Sequence, residues 1–417
     1  MSLSRLLDIR VFGLFFIRMA GAGLGLLSSI ILSRCLGISV VGNYYFSLSL
    51  IVMISSLSSL GLSNVVIKHC SANISSNNLI SFLKITIRNV LCTSFIFSFF
   101  AFLLLAYHKA NEISINAALV VAVLIVLSSI AIIAVSFLQA KMNINYSVAL
   151  QYIFQPSLVI LFVLFLYFSC VKLSLFNVLL VFLCATVITL FLYLYRCFKI
   201  LKEKQKDECM HEIHVSKMER WDYFITNSLG MIMTQAYIII SGFFISSSDV
   251  AVIAVSDKLT IIINMLSVSI VAFISPKLSI YYKTNDMASI KKTVTSSVKI
   301  ILLICTIFLI AFVFLGKDIL AVFGERFLSG YLILIFFLLA QSINAVFSPY
   351  YALLNMSNGQ SFLRRLHLII FFPSLLLIVT LTSIYGVWGL VVSKIVINFI
   401  INIFPAFFSK NKFGFFI

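Results

Sequence analysis

Twelve runs of roughly 20 apolar residues, set apart by polar connections, constrain this chain more than any other feature. At 1.5 Å rise per residue, about 20 helical residues match the ~30 Å hydrocarbon core of a bilayer. The runs are read at 11–33, 42–66, 85–107, 113–138, 147–169, 173–195, 221–245, 250–275, 297–316, 328–352, 366–384 and 387–408. Of the 417 residues, 62% are hydrophobic and only 10% charged, which leaves no room for a soluble domain of ordinary size. The one substantial hydrophilic stretch, 197–220, falls between the sixth and seventh runs. The expected fold is therefore an all-α integral membrane protein of about 12 transmembrane helices. They form two six-helix bundles around a central cavity: 1–196, a cytoplasmic linker at 197–220, and 221–417. A faint internal echo at an offset of roughly 209 (Val41 and Val250, Ser47 and Ser256, Leu50 and Leu259, Lys68 and Lys277) accords with two similar halves.

The net charge of +17 would suit nucleic acid if the basic residues shared one soluble face, but they lie between apolar runs. A positive-inside bias explains them, and no nucleic-acid partner is expected. With both termini in the cytoplasm, that side collects Lys68, Lys84, Arg88, Lys141, the basic residues of 196–220, Lys277, Lys283, Lys291, Lys292, Lys299, Arg364 and Arg365. Arg34, Lys109, Lys172, Lys317 and Arg326 stay outside. The first run is long and interrupted by Arg18, so it reads as an uncleaved anchor. The eight cysteines are scattered without a C-x-x-C pair, which points to neither a disulfide framework nor a zinc site. Cys209, His211 and His214 lie close together, but no fourth ligand is evident and no metal site is expected.

Charged groups inside the spans are Arg18, Asp257, Lys258 and Lys394. Each costs about 2.5–3.5 kcal/mol on insertion scales, so each needs a partner, a snorkelling path or a function. Asp257 and Lys258 are adjacent and point about 100° apart on a helix, so they are not assumed to neutralise each other. Asp257, Thr260, Asn264 and Ser267 form one polar stripe, and Gln341, Asn344 and Ser348 form another. Such stripes act either as interhelical glue or as the walls of a wet cavity. Three cations against one acid favour an anionic ligand, phosphate above all. Tyr44, Tyr45, Tyr237, Tyr350 and Tyr351 could present rings to a sugar, or serve equally well as packing and interfacial belts. Pro156, near the start of the fifth run, frees a backbone carbonyl and is expected to kink that helix. Short outward loops and the lack of H-E-x-x-H, Walker A or G-x-S-x-G patterns argue against an enzyme.

Arg18, Leu36-Gly37, Val41-Gly42-Asn43-Tyr44, Gly61-Leu62 and Val66-Ile67-Lys68 together resemble the opening of Wzx-type polysaccharide-transport flippases. These belong to the multidrug/oligosaccharidyl-lipid/polysaccharide exporter (MOP) superfamily. The Ser256-Asp257-Lys258-Leu259 stretch resembles the start of span 8 in the lipid II flippases, which also carry an arginine where Arg18 stands. Twelve apparent spans rather than fourteen, and lysine rather than arginine at 258, favour the O-antigen branch. The resemblance implies translocation of undecaprenyl-pyrophosphate-linked O-antigen repeat units from the cytoplasmic to the periplasmic leaflet of a bacterial inner membrane. It also implies membrane lipids, an O-antigen polymerase and a chain-length regulator as partners. On this reading Arg18 and Lys258 contact the pyrophosphate and Lys394 adds to the field. Asn264, Gln341 and Asn344 line the cavity. No cofactor is expected; proton or sodium coupling stays open, with Asp257 as its candidate. The competitors are a multidrug exporter of the same superfamily and a membrane-embedded O-antigen polymerase or glycosyltransferase.

Overall fold

The computed structural model describes residues 3–71, 76–108, 112–169, 173–203, 217–357 and 359–413, and among them every regular element is helical. It divides into two compact units, Met1–Gln235 and Ala236–Ile417. Ten helices are long and apolar enough to cross a membrane, and the apolar segment Ser228–Phe244 adds a shorter one. The last of the ten covers 52 residues, about 78 Å of helix, more than twice what one crossing needs.

In the first unit α1 (Leu3–Cys35), α2 (Ile38–Ser58), the short α3 (Leu62–Cys70), α4 (Ser76–His108) and α5 (Ile115–Ala140) come in order. Helix α6 (Ile144–Ala149) runs through a π turn into α7 (Gln155–Phe168), and α8 (Leu175–Glu203) follows. Helix α5 carries no charged residue and is apolar on every side, so it can be surrounded: it packs against α2, α3, α4 and α8. The continuous run expected over 42–66 is instead broken after Ser58. Leu60 and Gly61 both take positive φ (49° and 69°), which no α-helix accommodates.

The π turn, Leu150–Phe154, precedes Pro156 and absorbs the kink expected there. In α register the missing N–H of Pro156 would have served the carbonyl of Tyr152, with which the ring also clashes. The wider π turn relieves that conflict. Tyr152 is also where α1 comes nearest: a Cβ on Gly21 would stand 2.4 Å from the Tyr152 Cβ and 2.7 Å from its carbonyl oxygen. Gly21 therefore lets two backbones touch, as small residues do in membrane helix pairs.

Helix α9 (Lys217–Phe244) crosses from the first unit's residues into the second's. The second unit continues with α10 (Ser247–Lys283), α11 (Met287–Phe323), a 3₁₀ turn (Glu325–Gly330), α12 (Tyr331–Met356) and α13 (Gln360–Phe413). Helix α12, also free of charged residues, packs against α10, α11 and α13. It is the tenth span as α5 is the fourth, so the central helix holds the same ordinal place in each unit. Helix α13 is a hairpin turned at Gly386, whose φ of 58° and ψ of −132° leave helical space. Two arms fold back closely enough that a Cβ on Gly389 would lie 1.8 Å from the Leu381 carbonyl oxygen, and Ser393 Oγ donates to the Leu377 carbonyl at 3.3 Å. The turn falls between the eleventh and twelfth expected spans, so among the described residues the ten long helices, the split of α13 and the shorter Ser228–Phe244 match the twelve expected.

Candidate functional site

In the second unit, one face of the outgoing arm of α13 carries Lys394, Asn398 and Asn402, each four residues from the last and so stacked along the helix. Lys394 is buried, and its ammonium is hydrogen-bonded and ion-paired to the Asp257 carboxylate on α10. The two partners sit differently: the lysine side chain is 8% exposed, the aspartate side chain 41%. The ammonium lies against two rings, with Nζ 3.8 Å from the Phe337 ring centroid and 5.5 Å from that of Tyr237. Ring faces stabilise a largely desolvated ammonium electrostatically, so Phe337 contributes to holding this buried charge. Farther along the face, Asn398 Nδ2 donates to the Ala340 carbonyl at 3.1 Å. Asn402 Nδ2 donates to Asn344 Oδ1 at 3.2 Å and to the Asn398 carbonyl at 2.8 Å.

Asp257 thus takes Lys394, 137 residues away in sequence, as its ion-pair partner. Lys258 is half-buried beside it on α10. Thr260 Oγ1 donates to the Asp257 carbonyl at 2.7 Å, so part of the α10 polar stripe is satisfied by its own helix. Asn264 is exposed on α10, and Gln341 half-buried on α12. Arg18 is exposed on α1, in the first unit. The structure therefore brings Asp257 with Lys394, and Asn344 with Asn402, into direct contact. Tyr44, Tyr45 and Tyr350 are buried, which makes them core rings, whereas Tyr237 borders the charge pair. Cys209, His211 and His214 lie outside the described residues.

Three residues were not singled out in the sequence: Phe337, Asn398 and Asn402. The i, i+4, i+8 spacing of Lys394, Asn398 and Asn402 was a readable signal; the rings over the ammonium were not. The Tyr237 hydroxyl and Ser256 Oγ are buried with no hydrogen-bond partner among the described residues. The unanswered Tyr237 hydroxyl, on the ring that borders the charge pair, makes a place for a water, a proton or a small cation. Chemically the site can do two things. Protonation of Asp257 would leave the Lys394 charge unbalanced, or the carboxylate's exposed face can accept a second cation.

The sequence profile of the family described as "Polysaccharide biosynthesis protein" matches residues 10–282, well over half of the chain. Curated protein sequences give no significant match. Among solved structures, the chain is similar to a lipid II flippase, MurJ, in an inward closed conformation, with TM-score 0.73 and 14% identity over 97% of this chain and 87% of that one. It is similar to an inward-facing multidrug resistance MATE transporter of the MOP superfamily, with TM-score 0.69 and 13% identity over 96% and 98% of the two chains. A MOP superfamily transporter from Pyrococcus furiosus aligns with TM-score 0.61 and 13% identity over 97% of this chain and 95% of that one. At these identities the likeness is one of fold.

Proposed function

The chain belongs to the polysaccharide biosynthesis protein family, and from that premise we propose that it is a flippase for undecaprenyl-pyrophosphate-linked O-antigen repeat units. It moves them from the cytoplasmic to the periplasmic leaflet of a bacterial inner membrane by alternating access, and is not an enzyme. A sugar headgroup bearing phosphates cannot cross hydrocarbon unaided, so the protein must offer it charge and water. The observation that carries this reading is the pairing of buried Lys394 with half-exposed Asp257, with Lys258 beside it on α10. Such groups carry a free-energy penalty inside a membrane, which a role in transport accounts for.

Arg18 and Lys258 contact the pyrophosphate, and Lys394 contributes to the field to the extent that Asp257 releases it. Proton uptake by Asp257 would raise the local positive charge by one and favour the anion; proton loss would restore the pair and weaken the hold. With the cytoplasm negative, each negative charge carried outward is favoured by about 2.3 kcal/mol per 100 mV. Asn264, Gln341 and Asn344 supply polar contacts to the sugar.

The test is complementation of a deletion strain with the Arg18→Gln, Lys258→Gln double variant. Surface O-antigen should be lost while the protein accumulates normally in the membrane; full surface polymer would overturn the assignment. The half-exposed carboxylate of Asp257 is also what a cationic drug would seek, and the MATE transporters share the fold. An altered susceptibility of the deletion strain to cationic drugs, with O-antigen intact, would transfer the assignment to a multidrug exporter.

A further inference from the structure

A groove distinct from the charge pair lies in the second unit, where the end of α10 meets the start of α11. Each of these helices has 37 residues, about 55 Å, so together with a ~30 Å hydrocarbon core their ends must project into the headgroup layer. The end joined by Thr284–Asp286 is the basic one: Lys277, Lys283, Lys291, Lys292 and Lys299 cluster there. Between the helices runs a groove of about 590 Å³ that changes character along its length. At the outer end it is lined by Lys277, Lys292, Tyr281 and Ser289; at the inner end by Phe273, Ile274 and Ile300. Phe273 and Ile300 are exposed apolar side chains at the level where α11 turns wholly apolar.

Neither Lys277 nor Lys292 is ion-paired among the described residues; the Lys277 ammonium rests 4.0 Å above the Phe273 ring centroid. The nearby acid, Asp286, caps α11 by accepting from the Ser289 N–H at 3.0 Å, and hydrogen bonds from Ser289 hold its carboxyl below the ordinary range. Ser296 and Ser297 give their protons to the Thr293 carbonyl, so their lone pairs and the two ammonium groups face the groove with opposite preferences. The cations dominate because a phosphate takes both of them, while each hydroxyl can rotate to donate.

We propose that this groove binds an anionic glycerophospholipid. The phosphate sits between Lys277 and Lys292 and an acyl chain lies along Phe273 and Ile300. The groove's polar-to-apolar gradient matches that of a lipid and not of a free anion. The inference does not depend on what the protein transports.

The test uses the purified full chain in detergent, titrated with phosphatidylglycerol or phosphatidylcholine, with bound lipid counted by native mass spectrometry. Phosphatidylglycerol should be retained in preference. At about fivefold per lysine near a membrane surface, Lys277→Gln with Lys292→Gln should weaken it roughly 10- to 30-fold. Lys291→Gln with Lys299→Gln removes equal charge from exposed positions outside the groove and should change binding less than about twofold. Ser296→Phe fills the groove while keeping both lysines, and should lower binding comparably to the first pair. Equal retention of the two lipids, or equal weakening by the two lysine pairs, would overturn the site. Displacement of the lipid by millimolar inorganic phosphate would overturn the lipid assignment in favour of a free anion.

Discussion

The two compact units answer their hydroxyls alike, within their own helices, but differ in what ties one helix to the next. In Met1–Gln235 the buried hydroxyls are mostly answered within their own helix, as Ser47 to the Asn43 carbonyl, Ser58 to Ile54 and Ser136 to Ile132. The interhelical polar bonds there are neutral or sit at helix ends, such as Gln155 to Thr186 and Arg196 to Asn143. A backbone contact between two of its helices is made by omitting a side chain, at Gly21. In Ala236–Ile417 helices are joined by charge and amide: Lys394 to Asp257, Asn398 to Ala340, Asn402 to Asn344. One unit is packed; the other is also wired. Because a buried charge in a membrane costs more than a serine bonded to its own helix, the second unit carries the group whose cost packing alone does not explain.

The largest effect should come from breaking the wire. Asp257→Leu leaves the buried Lys394 ammonium without its acceptor and should destabilise the protein by about 2–4 kcal/mol in detergent unfolding. Lys394→Met should do less harm, since the remaining carboxylate is partly exposed, and the double variant should recover most of the loss. A double variant no better than Asp257→Leu would mean that the pair does not carry the coupling. Gly21→Ala comes next, at about 1–3 kcal/mol, because the new Cβ meets the Tyr152 backbone. Gly23→Ala and Gly25→Ala, on the same helix but in open space, should be neutral or stabilising. If all three behaved alike, the contrast between packed and open faces of α1 would fail. Asn402→Ala removes its bond to Asn344 and should cost about 0.6–1.7 kcal/mol, the range for polar contacts between membrane helices. Asn143→Ala, which loses the Arg196 contact at a helix end, should cost under about 1 kcal/mol by thermal unfolding. An Asn143 effect exceeding that of Asn402 would invert the comparison.

Local signals carried most of the fold. Charge-free stretches gave α5 and α12, Pro156 marked the disturbed fifth span, and the gap between the last two runs held the Gly386 turn. The break at Leu60–Gly61 escaped because an apolar run with one glycine reads as continuous helix, and nothing local announces a positive φ at leucine. Intramembrane charges were equally plain, being rare against their surroundings. Their partners were not, since the pairing of Asp257 with Lys394 depends on the register of α10 against a hairpin arm more than a hundred residues downstream. For the same reason Phe337 could not be told from any other core phenylalanine.

The π turn at Leu150–Phe154 carries one residue more than an α-helix would use over the same rise. That surplus turns every side chain beyond it by about 100° relative to an unbroken helix, and it is in this rotated frame that Gln155 Nε2 meets Thr186 Oγ1 at 3.2 Å. Deleting one residue from the turn would leave α7 the same length and composition but swing Gln155 away from α8 toward a different neighbour. The helical phase of the fifth span thus has to be counted in two pieces, and an alignment drawn straight through it would assign the wrong residues to its inner face.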